Sequence, residues 1–331
     1  MDLPVSQQKP SVAQVPVSAP QPRWASLRGH IFRRNLTWFL MALPALIWIL
    51  IFRYLTLFGT WIAFTDYKVR RGVFGSDFVG LQNFEFLFTT DTALRATRNT
   101  ILLNVQFIIV TMVFSLFVAW LLFEIYNSVL TKFYQTLLLL PRFVSWVVTS
   151  YFVYALLATD NGLVNSLLRS LGLAPITWYA SAEYWPGILT LVSLWASVGI
   201  SSLIYLSGML AIDVQLFEAA RIDGANKWQQ FIYITIPMLL PLIVITLLLA
   251  VASILNADFG LFFQVTRNQA LLYPTTDVLD TFIYRSLLVT NNVSLSAAAQ
   301  FYQSIVGFTL VIVFNWIVRR IERSDEPLSL F

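Results

Sequence analysis

Cysteine is absent from this 331-residue chain, and histidine occurs once, at His30. The first absence excludes thiol catalysis, disulfide scaffolds and thiolate metal sites. The second excludes a histidine-rich centre, so no metal site is expected. Charge is scarce as well: Asp, Glu, Lys and Arg make up 11% of the residues, against about 25% in an average soluble domain. The chain therefore lacks the exterior that a large soluble core would need. It has no GxxxxGK[ST] loop and no arrangement of Lys and Asp suited to nucleotide phosphates and magnesium. ATP hydrolysis by this polypeptide is not expected, nor any enzymatic activity of its own. The net charge of +4 is spread along loops, and the basic flanks suit anionic lipid headgroups better than nucleic acid.

Long apolar runs are what the chain has instead. Hydrophobic residues account for 58% of it, and the mean hydropathy is +0.72. Several runs reach the roughly 20 residues needed to cross a bilayer core. They are continuous and do not alternate, which argues against a β-barrel. The expected fold is an all-α integral membrane protein with six spans, near residues 36–58, 100–123, 136–158, 187–210, 236–255 and 301–318. Residues 1–22, rich in Pro, Ser, Gln and Val, read as a disordered tail. Residues 23–35 form a basic flank, 36–320 the membrane domain and 321–331 a second tail. No cleaved signal peptide is indicated, and the first span is expected to direct insertion. The segment Asp66–Arg98 reads as an aromatic surface cap whose last residues start the second span's helix. Thr159–Trp185 reads as another surface region, with a turn at Asp160-Asn161-Gly162 and a short amphipathic helix. Gly199, Ser201, Ser202 and Gly208 in the fourth span suit close helix packing or a pore lining.

An even number of spans puts both termini on one side. Arg28, Arg33 and Arg34 before the first span and Arg319, Arg320 and Arg323 after the last make that side cytoplasmic. Lys68, Arg70, Arg71, Arg95 and Arg98 in the first loop work against the rule. Within the runs, Arg53 reads as the one strong charge.

The loop at 211–234 departs from this pattern. Asp213, Glu218, Arg221, Asp223 and Lys227 bring five charges into fifteen residues between two spans. Asp213 is placed to cap a helix starting near Val214, and Ala219 and Ala220 leave room for close approach. Gly224 allows a left-handed turn, after which Asn226–Ile234 can form a second short helix. Pro237 suits the first turn of the fifth span and Pro241 is expected to bend it. Two readings follow: a helical hairpin tucked against its own bundle, or a docking platform for a soluble partner.

The spacing Glu218-Ala219-Ala220, Gly224, Ile234-Thr235-Ile236-Pro237 resembles the EAA signature of permease subunits from binding-protein-dependent ABC importers. Ile236 stands where leucine is usual. EAARIDGA with Trp228, Phe231 and both prolines is similar to the carbohydrate branch of that family. The likeness runs from Phe39 to Val318. It takes in FTDY (64–67), FVGLQNF (78–84), RNT (98–100), LLLPRFVSW (138–146), NGLVN (161–165) and VLDTFIYR (278–285). Together these resemble lipopolysaccharide-type and alginate-type sugar permeases. The resemblance implies a six-span permease bundle in a bacterial inner membrane, with a cytoplasmic coupling helix. It implies a second permease, two cytoplasmic ATPase subunits that bind ATP and Mg, a periplasmic or extracellular solute-binding protein and a saccharide substrate. Glu218, Ala219, Ala220, Arg221, Asp223, Gly224, Ala225, Ile234 and Pro237 would then face or shape the ATPase contact, with Glu218 as polar anchor.

A sugar path needs hydrogen-bonding groups beside aromatic faces. By chemistry the candidates are Asn104, Gln106, Tyr151, Tyr154, Trp195, Ser201, Tyr205, Asn256, Asp258, Gln300, Tyr302 and Gln303. Each also has an ordinary role as interface aromatic or interhelical glue. Arg70, Arg71, Arg95, Arg98, Arg267 and Arg285 could steer an anionic sugar or meet a binding protein. The rival readings are a secondary transporter for a polar solute, which would need a buried ionisable site, and a membrane enzyme acting on lipid-linked sugars, which would need clustered acids or bases.

Overall fold

The computed structural model describes residues 38–125 and 127–321. The expected tails, the basic flank with Arg28, His30, Arg33 and Arg34, the start of the first span and Arg323 lie outside them. The chain divides into two compact units, Met1–Phe58 and Gly59–Phe331. The first contributes most of α1 (Trp38–Phe64), which widens to a π-helical turn over Leu50–Tyr54 around Arg53 and then tightens to a 3-10 helix.

In the second unit the last residues of α1 lead into a two-residue antiparallel ladder, β1 (Thr65–Asp66) with β2 (Asp77–Phe78). Helix α2 (Gln82–Thr89) follows. Phe301 meets Phe64 and Phe84 edge to face there, Phe64 and Phe84 are tilted against each other, and Phe88 meets Tyr302. The main helices are α3 (Asp91–Glu124), α4 (Ser128–Leu139), α5 (Trp146–Leu157), α6 (Leu163–Ser170), α7 (Trp185–Leu210), α8 (Val214–Ile222), α9 (Lys227–Ala252), α10 (Leu279–Leu288) and α11 (Val293–Ile321).

Five helices among the described residues are long and apolar enough to cross a membrane: α1, α3, Ala182–Leu210, α9 and Val293–Ile317. A sixth is reached if Ser128–Phe143 and α5 count as one span bent by 96°. The third span was expected as a single run. It breaks because Pro141 has no N–H to give to a preceding turn and the chain tightens into a 3-10 turn at Leu140–Phe143. Ser145, in extended conformation, then caps a new helix with its hydroxyl towards Val148 N. Elsewhere the helices overrun the expected limits: α3 starts at Asp91, and α9 runs unbroken from Lys227 through a π-helical turn at Phe231–Thr235. Pro237, which cannot bond the carbonyl four residues back, lies two residues past the end of that wide turn.

Close packing at the small residues of α7 sets the bundle. A Cβ on Gly199 would fall 1.9 Å from Leu138 O, and one on Gly208 would fall 2.7 Å from Leu239 and Leu242 methyls. Ser202 is fully buried and donates to Gly199 O at 2.8 Å. Three apolar clusters surround this scaffold. One gathers about Trp185, Leu189 and Phe262, one about Leu87, Leu255 and Leu279, and one about Tyr205, Met209 and Phe231.

Candidate functional site

Helix α8 carries the Glu-Ala-Ala sequence. Asp213 caps it, accepting from Gln215 N at 3.0 Å. Its end is closed by two bonds, Ala225 N to Ala220 O (2.9 Å) and Gly224 N to Arg221 O (3.1 Å). This pair is the Schellman closure, which puts the intervening residue in the left-handed region; Gly224 has φ of 80°. The fixed interval from Ala220 to Gly224 thus has a conformational cause. Asn226 and Gln229 then form a reciprocal capping box that starts α9.

The hairpin is fastened from one side and open on the other. Phe217 is buried and packs on Phe123, 5.6 Å between centroids. Trp228, Phe231 and Trp120 form an aromatic trio, and Lys227 pairs with Glu124 at the end of α3. Away from these contacts Val214, Leu216 and Ile222 are exposed, the last 88%. Glu218, Ala219, Arg221 and Asp223 are exposed beside them, and none of the three charged groups pairs with another described residue. Ala220, Ala225 and Ile234 are half-buried; Pro237 is exposed at the start of the apolar part of α9.

A cavity of about 340 Å³ opens between α3, α7, α9 and the α4–α5 break. Asn104, Ser201, Tyr205, Asn256 and Asp258 of the expected path line it. Asn104 donates to Ile254 O (2.8 Å), fixing the end of α9 against α3. Tyr205 Oη lies 3.0 Å from Thr246 Oγ1. Asp258 accepts from Trp146 Nε1 (3.0 Å) and caps the turn at Leu261 (3.3 Å). The sequence reading missed Arg142, Trp146, Ser193, Ser197 and Thr246, which also line it. Two signals were available. Ser193, Ser197, Ser201 and Tyr205 recur every four residues, one stripe of a helix. Arg142 sits after a proline inside an apolar run, so Arg53 is not the one strong charge there.

The remaining candidates lie elsewhere. Gln303 is buried and bonds Leu255 O and Asp280 Oδ2, holding α11 to the chain after α9. Tyr302 packs on Phe88, while Gln300 and Trp195 are exposed and Gln106 half-buried outside the cavity. Tyr151 lines a separate cavity, and Tyr154 lies under the Arg267 guanidinium at 4.2 Å. Of the arginines, Arg285 is bound to the buried carboxylate of Asp277 at 2.6 and 2.7 Å and Arg95 approaches it at 3.8 Å. Arg71 pairs with Asp77, and Arg70 and Arg98 are exposed.

Two groups outside the spans have displaced acidities. Burial pushes the Tyr179 hydroxyl up to about 12, partly opposed by Arg267 and reinforced by Tyr154. Burial likewise raises Asp280, against hydrogen bonds from Ala257 N and Gln303, and the neighbouring Asp258 adds to the rise. Among the described residues no three His, Asp or Glu side chains gather as metal ligands.

The sequence pattern of the binding-protein-dependent transport system inner membrane component matches residues 111–324. The polygalacturonan/rhamnogalacturonan transport system permease protein YteP of Bacillus subtilis is 33% identical over 85% of this chain and 87% of its own. Protein LplB of the same organism is 28% identical over 88% and 91%. Among solved structures, a chain of a bacterial alginate ABC transporter in complex with an alginate pentasaccharide-bound periplasmic protein superposes with a TM-score of 0.80. It is 29% identical, over 89% of this chain and 98% of that one. With the Glu-Ala-Ala hairpin and the polar cavity in one bundle, the chain belongs to the family of inner membrane components of binding-protein-dependent transport systems and is a transport permease, not a nucleotide-hydrolysing subunit.

Proposed function

We propose that the chain forms half of the transmembrane path of an ATP-driven, binding-protein-dependent importer of oligosaccharides or polysaccharide fragments. Its partners are a second, similar permease, two cytoplasmic ATPase subunits that hold ATP and Mg, and a solute-binding protein outside the membrane. The bundle crosses the inner membrane six times, with the bent α4–α5 pair as one span and both termini cytoplasmic.

The observation that carries this reading is the mounting of α8. A lever must be stiff where it meets the bundle and accessible where it meets the motor. Phe217, the aromatic trio and the Lys227–Glu124 pair supply the first property. The exposed face of Val214, Leu216, Glu218, Ala219 and Ile222 supplies the second. A motor that binds this face differently in its open and closed states shifts the bundle by that difference in affinity. The saccharide class is supported by the alginate and polygalacturonan named for the relatives. The cavity fits it in kind: hydroxyls, amides, one carboxylate and one indole converge there. Arg142 on the same wall favours saccharides that bear acid groups.

The test is reconstitution of the affinity-purified complex in liposomes, with a screen of sugars for stimulated ATPase activity. Ala219→Trp adds bulk only on the exposed face and is expected to abolish uptake while the protein still inserts. Uptake at full rate without the ATPase subunits would sink the proposal.

A further inference from the structure

The closure that ends α8 recurs at two other helix ends. Leu173 N bonds Leu168 O with Gly172 N to Arg169 O, and Asn268 N bonds Phe263 O with Arg267 N to Gln264 O. Each places one residue in the left-handed region. That residue is glycine at 172 and 224, with φ of 74° and 80°, but arginine at 267, with φ of 55°. Asn268 follows at 50°. A side chain there costs stability that glycine would not. The strained pair is held by Tyr273 Oη donating to Asn268 Oδ1 (2.9 Å) and by Thr266 Oγ1 accepting from Asn268 N (3.3 Å).

The strain puts the guanidinium on a built surface. It lies over Tyr154 and lines a cavity of about 270 Å³ with Ser150, Tyr151, Gln264 and Asn268. Gln264's amide, Arg267's guanidinium and Tyr151's hydroxyl make no hydrogen bond or ion pair with other described residues. Tyr151 is 66% exposed. Trp146 lines the first cavity and its neighbour Val147 this one, so α5 separates the two. Tyr179 packs on Tyr154 and on Trp185, the first residue of α7. From Trp185 the 26 residues of α7 run about 39 Å to the end that carries α8.

We propose that this cavity is a second saccharide subsite, specific for a single carboxylate-bearing sugar residue and met before the intramembrane cavity. Arg267 takes the carboxylate, Tyr151 the ring face, and Gln264 and Asn268 the hydroxyls. The volume suits one sugar ring, not a chain. The inference rests on the reading of the chain as a sugar-importer permease.

The test uses the whole transporter with its binding protein in liposomes, and compares a hexuronate trisaccharide with its neutral hexose counterpart as stimulators of ATPase activity. Arg267→Gly relieves the backbone and removes the charge. It is expected to cut the preference for the acidic trisaccharide about tenfold or more, through the concentration for half-maximal stimulation, with unchanged or higher thermal stability. Arg267→Lys is expected to restore part of it. An unchanged preference, an equal loss for both sugars, a loss traced to weaker association with the binding protein, or a wild type indifferent to the acid group would overturn the subsite. If neither trisaccharide, nor any other sugar, stimulates ATPase activity, the importer reading itself fails; a response to neutral sugars alone overturns only the subsite.

Discussion

Replacing Gly224 separates backbone conformation from bulk at the proposed motor contact. An added Cβ would meet nothing within 4 Å, so Gly224→Ala has no steric cost against the rest of the protein. Its whole effect comes from holding an L residue at φ of 80°, about 1–2 kcal/mol. That energy is a factor of roughly 5–30 in the population of the closed turn. If the ATPase subunit selects the closed turn, the same factor appears as weaker assembly or slower coupled uptake. Asparagine tolerates this conformation better, so Gly224→Asn should fall between alanine and glycine. The turn is exposed, so membrane insertion should be unchanged in all three. The assay is binding-protein-stimulated ATPase activity and uptake in liposomes, with co-purified ATPase as the measure of assembly. The reasoning is refuted if alanine matches glycine, or if asparagine is worse than alanine.

Gly199→Ala brings a methyl to 1.9 Å from Leu138 O and should cost about 3 kcal/mol or more as backbones separate. Gly187→Ala, in the same helix with nothing within 4 Å, should be neutral or stabilising; thermal melting in detergent compares them. Asp280 is held above the usual carboxylate range by burial, so the folded state binds its proton more tightly than the unfolded chain. Its contribution is present at low pH and lost as pH rises from about 4 through the raised value. Asp280→Asn keeps the one oxygen that accepts from both Ala257 and Gln303 and should flatten that part of the stability profile. Asp280→Ala, which strands Ala257 N and leaves Gln303 with Leu255 O alone, should cost about 1–3 kcal/mol at every pH. Trp146→Phe removes the donor to Asp258 Oδ2. Because Asp258 is exposed, water can replace that bond, so thermal stability should barely move. The sugar concentration for half-maximal ATPase stimulation should shift, and a large melting change with unaltered sugar response would refute the assignment.

Spans, caps and the Glu-Ala-Ala hairpin were legible because each depends on local chemistry: apolar run length, Asp213 before Val214, and glycine where a left-handed residue is needed. The bend in the third span was also written locally, in Pro141 and Ser145, but the long apolar run masked it. The cavity was half legible. Asn104, Ser201, Tyr205, Asn256 and Asp258 converge in it, while Gln303 and Tyr302, chemically equal candidates, serve packing between α11 and its neighbours. Nothing local separates these cases, since which face of a helix turns inward depends on partners distant in sequence. The motifs that carried the family resemblance prove to include pins of the fold. Asn165 bonds Thr159 O, Ile176 O and N, and Trp178 Nε1. Thr100 accepts from Leu279 N, and Asn99 donates to Pro274 O.

The four-residue recurrence along α7 has a geometric corollary. Each step of four advances about 40° beyond a full turn, so the hydroxyls from Ser193 to Tyr205 wind through roughly 120° over about 18 Å. A solute following them cannot keep one face towards the helix. It has to roll as it advances, which favours a flexible polyol, able to exchange one hydroxyl contact for the next, over a rigid planar molecule of equal size.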